Sequence, residues 1–315
     1  MRFLYLFILV SLFSCSPKPQ IYEIAEEKDM IPEGIAIDPK SGKIYLSSVH
    51  KKKIGVFDPE TSSFKDFITS GQYGFKRGVG MKVFDQMLFA LGSDEESGKG
   101  ASILLVLELE SGNLIDSFSL EDSTSHFLND LVIDGQGKIY LTDTEGHGIY
   151  ALNYPEGEIE LFFQDESIRY PNGIALSEDA SKLFIDSWSD GIRILDLESK
   201  EILNDQHTPT SEFGIDGLSY HAGSLYAIHN SGEDHSKYGL YRIPLLENEK
   251  VLGDPEAVLI GHPKMNVPTT LSILEGTAYI LANSQLDNLD QEKNQILSYE
   301  QLSPTFIIRL KLDTN

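Results

Sequence analysis

Three features of the sequence predict an all-β fold, namely a six-bladed β-propeller whose last blade is closed by a strand from near the N-terminus. A unit recurs along the chain at the ~40–50 residue spacing of four-stranded propeller blades. Within each copy, apolar and polar positions alternate with the period of two that marks β-strands. β-branched and aromatic residues are concentrated between turns rich in Gly, Asp and Ser.

The repeated unit fixes the number of blades. Three clear copies begin PEGIAIDPKSGKIYLSS, FLNDLVIDGQGKIYLTD and YPNGIALSEDASKLFIDS, and three weaker ones begin GVGMKVFDQMLFALG, IDGLSYHAGSLYAIHN and PTTLSILEGTAYILAN. A pair of β-sandwiches, the alternative for a chain of this length, would not repeat in register. Aligning the first strands places six residues, 43 to 53 positions apart, at one structural position: Glu33, Val79, Asn129, Asn172, Asp216 and Thr269.

The sixth unit ends at the C-terminus with its third strand, TFIIRLKL. Residues 21–25, with the sequence IYEIA, are predicted to supply its fourth strand, because this pairing removes an open sheet edge. Residues 21–315 are therefore predicted to form a single propeller domain.

The first twenty residues have the pattern of a bacterial export signal. Arg2 precedes an apolar run that is too short for a confident membrane span. Leu12-Phe13-Ser14-Cys15 resembles a lipobox, and Cys15 is the only cysteine. We therefore expect a lipoprotein signal peptide at residues 1–14, a lipidated Cys15 with a tether through residue 20, and a lipid-anchored protein of the bacterial cell envelope. The alternative is an ordinary signal peptide with a chance cysteine.

The charge balance excludes one class of partner. The chain has 25 basic and 49 acidic side chains, a formal net charge of −24. Such a balance repels nucleic acid and anionic lipid, so contact with the membrane is expected only through the lipid anchor.

The six aligned residues, called here the axial ring, point to a metal centre. In a propeller the first strand of each blade lines the central channel, so these positions meet around the axis. Glu33, Asn129, Asn172 and Asp216 offer hard oxygen donors, and none of the six positions is Lys or Arg. This donor set favours Ca²⁺, or another divalent metal of the Mg²⁺ type, over Zn²⁺. The alternative is that Asn-Gly and Asp-Gly are only turn dipeptides.

The motifs PEG, ND, PNG and IDG that contain these residues resemble the senescence-marker-protein (regucalcin)/gluconolactonase family and, more distantly, paraoxonases and diisopropylfluorophosphatase. The resemblance implies a six-bladed propeller that carries a catalytic Ca²⁺ and hydrolyses lactones or organophosphate esters. It implies that Glu33, Asn129, Asn172 and Asp216 are the metal ligands. Asp216 and Asp130 are then the candidate catalytic residues, with Asp216 preferred.

Two positions depart from the family pattern. Phe127 stands where gluconolactonases of this family tend to have an arginine that meets sugar hydroxyls, which suggests a less polar substrate. Val79 stands where paraoxonases have a catalytic histidine, so a histidine-dyad mechanism is not expected.

The loops between the second and third strands should surround the metal-bearing mouth of the channel and select the substrate. A single aromatic residue or histidine in or near such a loop is more commonly a packing or surface residue than a substrate contact. The substrate-pocket candidates are His126, Phe127, His147, Trp188 and His229.

The sequence as a whole predicts a metal-dependent lactonase or ester hydrolase acting on a small-molecule lactone or ester. The alternatives are a phosphotriesterase and a non-catalytic propeller lipoprotein that binds a ligand or a protein.

Overall fold

The computed structural model describes residues 18–96, 99–204 and 214–312. The predicted signal peptide and Cys15 lie outside these residues. Within them the protein contains β-strands and no α-helix, and no helix there is long and apolar enough to cross a membrane. Short 3₁₀ turns lie at Lys28–Met30, Gln72–Gly74, His235–Lys237, Leu286–Asn288 and Tyr299–Gln301.

Six antiparallel sheets follow one another along the chain, each as a blade whose first strand is innermost. Strand β1 is Gln20–Ile24. Blade one contains β2 (Pro32–Ile37), β3 (Ile44–Ser48), β4 (Ile54–Asp58) and β5 (Ser63–Ile68). Blade two contains β6 (Arg77–Phe84), β7 (Met87–Glu96), β8 (Lys99–Glu108) and β9 (Leu114–Leu120). Blade three contains β10 (Leu128–Ile133), β11 (Lys138–Asp143), β12 (Gly148–Asn153) and β13 (Glu160–Phe163).

The last three blades vary this plan. Blade four contains β14 (Pro171–Leu176), β15 (Lys182–Ser187) and β16 (Gly191–Asp196). Blade five contains β17 (Ile215–His221), β18 (Ser224–His229), β19 (Gly239–Leu246), β20 (Val251–Leu252) and β21 (Glu256–Ile260). Blade six contains β22 (Leu271–Leu274), β23 (Thr277–Leu281) and β26 (Thr305–Lys311), with the small hairpin β24 (Leu289–Asp290) and β25 (Gln295–Ile296) before β26.

Burial explains the sequence pattern of the strands. The second strand of a blade is packed between neighbouring blades on both faces, so β3 and β23 are buried along their whole length. The outermost strand has one face in water, and only the last residue of β5 is accordingly buried.

The N-terminal strand closes the ring of six blades, as predicted. Strand β1 pairs antiparallel with β26, with Ile21 opposite Ile308. It spans Gln20–Ile24, one residue earlier than residues 21–25. Blade six also contacts blade one at the axis, where the Thr269 hydroxyl donates a hydrogen bond to the Glu33 carbonyl oxygen at 3.1 Å.

The strand directions define two faces. The inner strands all start at one face, called here the mouth. Because β23 returns to the mouth and β26 is antiparallel to it, β26 runs away from the mouth. Strand β1 is antiparallel to β26, so β1 starts at the face opposite the mouth.

Candidate metal centre

A β-bulge occurs at the axial-ring position of the first five inner strands. In blade one the register shifts between Pro32 and Ile35, and in blade five it shifts between Ile215 and Leu218. Blades two, three and four shift at the equivalent place. The Asn-Gly and Asp-Gly pairs therefore lie within strands and not in tight turns, so the turn-dipeptide interpretation is wrong.

The glycine after the ring residue lets neighbouring blades touch. A Cβ atom on Gly34 would lie 2.1 Å from the Val79 carbonyl oxygen, and one on Gly217 would lie 2.5 Å from the Thr270 Cα atom. Both contacts are with the main chain of the next blade, which cannot move aside as a flexible side chain would. The glycines of PEG and IDG are thus required by the close approach of inner strands.

Four of the six axial-ring side chains line one cavity on the axis. Its volume is about 10 Å³, room for a single water molecule or ion. Val79 lies instead in the apolar core beside Phe89, and Thr269 is buried with its hydroxyl on the Glu33 carbonyl. The lining of this upper cavity consists of Glu33, Gly80, Asn129, Asp130, Asn172, Asp216, Gly217 and Thr270.

Hydrogen bonds orient the two carboxamides. The Asn172 Nδ2 atom donates to Asp216 Oδ1 at 3.0 Å, and the Asn129 Nδ2 atom donates to Thr144 Oγ1 at 3.2 Å. Because each nitrogen has a protein acceptor, each Oδ1 atom is the one left for a ligand. Asn230 Nδ2 donates to the other Asp216 oxygen at 2.7 Å, so both oxygens of that carboxylate are held in place.

The carboxyl groups of the cavity repel one another. Burial, followed by the charges of Asp216 and Asp130, raises the pKa of Glu33 to about 8. Burial also raises the pKa of Asp216 to about 7, against the lowering effect of the hydrogen bonds from Asn230 and Asn172. A bound cation would relieve this repulsion by favouring the ionised forms.

The residues present fit a Ca²⁺ ion. The cavity has the size of one ion, and two carboxylates and two amide oxygens are hard donors of the kind that Ca²⁺ accepts in loose geometry. In the part of the chain that the structure describes, no group of three or more His, Cys, Asp or Glu side chains forms a metal-ligand set. A cation held in the upper cavity would therefore need the amide oxygens of Asn129 and Asn172 beside the carboxylates of Glu33 and Asp216.

Several contributors to this centre were missed by the sequence analysis. Thr144 and Asn230 orient ring side chains through hydrogen bonds. Each lies just after the second strand of its blade, outside the aligned position. The expectation that no Lys or Arg balances the acids holds for the six ring positions only, because Lys82 Nζ lies 3.9 Å from Asp130 Oδ1. The feature of the sequence that could have indicated this lysine is a charged residue three positions after Val79 on the same strand.

Asp186 is a further missed residue near the ring. It is 1% exposed, and its Oδ2 atom has no hydrogen-bond partner among the described residues. Burial, and then the charge of Asp216, raises its pKa well above the ordinary value. In the strand register Asp186 takes the place of Ser47 and Thr142, whose hydroxyls donate to the ring carbonyls of the next blade.

Two of the predicted pocket residues, His126 and Phe127, contact other protein groups and not the upper cavity. His126 is 1% exposed, with Nδ1 2.5 Å from Asp143 Oδ2 and Nε2 2.9 Å from Thr124 Oγ1. Both of its ring nitrogens therefore face protein groups. Phe127 is half-buried and packs against the core between blades two and three, while its main-chain N–H donates to Asp143 Oδ1. Neither side chain lines the upper cavity.

The other three pocket candidates lie on blades three to five at the mouth end of their strands. His147 Nδ1 accepts the Tyr170 main-chain N–H at 3.1 Å, with the two rings edge to face. The main-chain N–H of Trp188 donates to the Tyr170 carbonyl, and the Trp188 side chain is 40% exposed. His229 packs edge to face against Tyr238. None of the three lines the upper cavity, but Tyr170 and Trp188 present exposed rings near the mouth.

The raised pKa of Glu33 predicts how pH affects stability without metal. Between the ordinary value and about 8 the folded protein holds a proton that the unfolded chain has lost, so this contribution weakens as pH rises. In EDTA, wild type should lose on the order of 2 kcal/mol relative to Glu33→Gln between pH 5 and pH 8. Urea unfolding of both proteins at each pH measures the difference. A difference that stays constant with pH would contradict the raised pKa.

Comparison with known proteins identifies the family of the chain. Residues 31–222 match the family model described as the SMP-30/Gluconolactonase/LRE-like region. The chain belongs to this family. A curated relative, lactonase drp35 of Staphylococcus aureus (strain MW2), is 27% identical over 168 residues, which cover 50% of this chain and 48% of the relative. The chain thus spans about half the length of the curated relatives it matches.

Solved structures share the propeller fold of this SMP-30/gluconolactonase-like chain. A gluconolactonase from Xanthomonas campestris has a TM-score of 0.61 at 13% identity, with 93% of this chain and 90% of that chain covered. A calcium-binding regucalcin from Agrobacterium tumefaciens has a TM-score of 0.59 at 16% identity, covering 93% and 95%. Virginiamycin B lyase from Staphylococcus aureus has a TM-score of 0.61 at 16% identity, covering 94% and 100%. These likenesses concern the fold.

Proposed function

We propose that this protein is a Ca²⁺-dependent hydrolase of the lactonase or esterase type. The observation that carries the proposal is the convergence of Glu33, Asn129, Asn172 and Asp216 on one ion-sized cavity. Membership of the SMP-30/gluconolactonase-like family and the local match to a lactonase support the choice of reaction. Another divalent metal with the same preference for oxygen is the alternative cofactor.

The ring residues and their neighbours would have different roles in the hydrolysis. Bound at the ring, a divalent cation would polarise the substrate carbonyl and stabilise the developing oxyanion. Asp216 is the candidate general base, because its carboxylate lines the cavity where a cation and an attacking water would meet. Asn172 and Asn230 each donate to one Asp216 oxygen and so fix the direction of its free lone pairs.

Asp130 is the second candidate base. Its carboxylate accepts the Leu131 main-chain N–H at 2.8 Å and lies 3.9 Å from the Lys82 ammonium. Burial raises the pKa of Asp130, against the lowering effect of these contacts, which also occupy part of the carboxylate. Asp216 therefore remains the first choice, with Asp130 as a supporting charge beside the ligands.

The substrate proposed is a lactone or ester with a substantial apolar part. Phe127 replaces the arginine expected of a sugar-lactone enzyme, and Tyr170 and Trp188 expose 45% and 40% of their surfaces near the mouth. Aromatic surfaces of this kind bind apolar groups by burial.

Hydrolysis of a substrate panel tests the proposal. The purified protein, beginning at residue 16 to omit the lipid, is assayed with aliphatic lactones, aryl esters and a phosphotriester. We expect lactone or ester turnover that EDTA abolishes and Ca²⁺ restores. Turnover of the phosphotriester alone would favour a phosphotriesterase. Ca²⁺ binding with no turnover at all would favour a non-catalytic binding propeller, a role that the fold alone permits.

We further propose that the protein is exported and anchored through Cys15. Because β1 begins at the face opposite the mouth, such an anchor would leave the mouth turned away from the membrane. Cells fed radioactive palmitate should label the wild-type protein and not the Cys15→Ser variant. Equal labelling of both proteins would contradict the anchor.

A further inference from the structure

The axial channel contains two cavities. Below the upper cavity lies a lower one of about 250 Å³ that is reached from the face opposite the mouth. Most of the residues that line it are of apolar type, and Lys82 is the one Lys or Arg among the described residues that line either cavity. The lower cavity is lined by Lys82, Val83, Phe84, Val132, Ile133, Ile174, Ala175, Leu176, Leu218, Ser219, Tyr220, Ser272 and Ile273.

The Lys82 side chain lines the lower cavity and approaches one carboxylate of the upper cavity. Its Nζ atom is 3.9 Å from Oδ1 of Asp130, which itself lines the upper cavity. The Asp130 carboxylate is held in place because Oδ1 accepts the Leu131 main-chain N–H at 2.8 Å and Oδ2 accepts that of Ile174 at 3.5 Å. The Lys82 side chain is 27% exposed and that of Asp130 is 10% exposed, so water screens this pair only in part.

The charges around the ring are unequal. Three carboxyl groups, those of Glu33, Asp130 and Asp216, line the upper cavity, and the single ammonium of Lys82 lies beneath them. Among the described residues Lys82 makes one ion pair, with Asp130 at 3.9 Å, which is too long for a close hydrogen bond. A divalent cation that enters the ring must then bind near a positive charge already present.

We propose that Lys82 is an internal counter-ion of Asp130 beside the axial ring, which stabilises the metal-free protein and lowers the affinity of the ring for divalent cations. The second half of this inference rests on the proposed metal centre. A residue that only supported the fold would act in the opposite direction, because its loss would distort the ring and weaken metal binding.

Ca²⁺ titration calorimetry of Lys82→Met tests the effect on affinity. Removing the ammonium while keeping the apolar stem should make Ca²⁺ bind at least about fivefold more tightly at low ionic strength. Lys65→Met is the matched control, because Lys65 is an exposed residue of the outer strand of blade one and should leave the affinity unchanged. Unchanged or weaker Ca²⁺ binding by Lys82→Met overturns the proposal. Lys82→Gln, which keeps a polar end, should shift the affinity in the same direction and replaces Lys82→Met if that variant does not fold.

A double-mutant cycle in EDTA tests the counter-ion without metal. Thermal unfolding is measured for wild type, Lys82→Met, Asp130→Asn and the double variant. Charge coupling predicts that Lys82→Met lowers the Tm more in wild type than in the Asp130→Asn background. Equal losses in both backgrounds overturn the counter-ion role. Failure of wild type to bind Ca²⁺ would instead overturn the proposed function and the affinity half of this inference, while the cycle still decides whether Lys82 is a counter-ion.

Discussion

Replacing Asp216 by Asn should lower kcat/KM for lactone hydrolysis by at least about 100-fold, the usual contribution of a general base. Asparagine has the same shape but cannot take a proton. Both Asp216 oxygens now accept amide N–H groups, from Asn172 and Asn230, so one of these donors would face the new NH₂ group. We therefore also expect weaker Ca²⁺ binding. Initial rates and Ca²⁺ titration calorimetry on the same preparation measure the two effects separately.

Asp254→Asn is the matched control for this substitution, because Asp254 is exposed and lies between β20 and β21, away from the axis. It should retain full activity and Ca²⁺ affinity. If Asp216→Asn binds metal and still hydrolyses the substrate at the wild-type rate, Asp216 is not the base. Activity that survives Asp216→Asn and is lost in Asp130→Asn would assign the base to Asp130.

The fold was predictable because a propeller repeats its own sequence pattern. Each blade must bury its second strand on both faces and leave its outer strand half in water, so similar residues recur at similar spacing. The same symmetry made four of the ring residues predictable. Glu33 and Asp216 are 183 positions apart in the chain, yet they occupy equivalent positions of their blades and meet at one cavity.

The β-bulge explains why Lys82 was missed. Counting every second residue from Val79 places Lys82 on the side away from the channel. The bulge adds one residue to the strand at Val79 and Gly80, which reverses the alternation from there on. Val79 therefore packs into the core, whereas Gly80 lines the upper cavity and Lys82 the lower one.

The role of His126 depended on partners that the sequence does not mark. Its ring nitrogens face Asp143, which is 17 residues further along the chain, and Thr124. Nothing in the pattern around a single histidine distinguishes such a supporting pair from a substrate-facing base. The orientation of the Asn129 amide likewise depends on Thr144, which lies beyond the end of β11.

Gly34→Ala should destabilise the protein by about 3 kcal/mol, the upper part of the range for overpacking a core. The new Cβ atom would lie 2.1 Å from the Val79 carbonyl oxygen and 2.6 Å from Ser47 Oγ. Ser47 cannot turn away without cost, because its hydroxyl accepts the Gly34 N–H and donates to that same carbonyl. Blades one and two would have to separate at the axis. Urea unfolding at fixed pH in EDTA measures the loss.

Gly135→Ala separates this effect from the general cost of replacing a glycine. A Cβ atom on Gly135 has nothing within 4 Å, so the substitution should change the free energy of unfolding by less than about 0.5 kcal/mol. Because Gly34 follows Glu33 in the bulge, Gly34→Ala should also weaken Ca²⁺ binding, whereas Gly135→Ala should not. Equal stability of the two variants would mean that the inner strands of blades one and two do not touch. The axial ring would then be wider than one ion, and its four oxygen donors could not share a single cation.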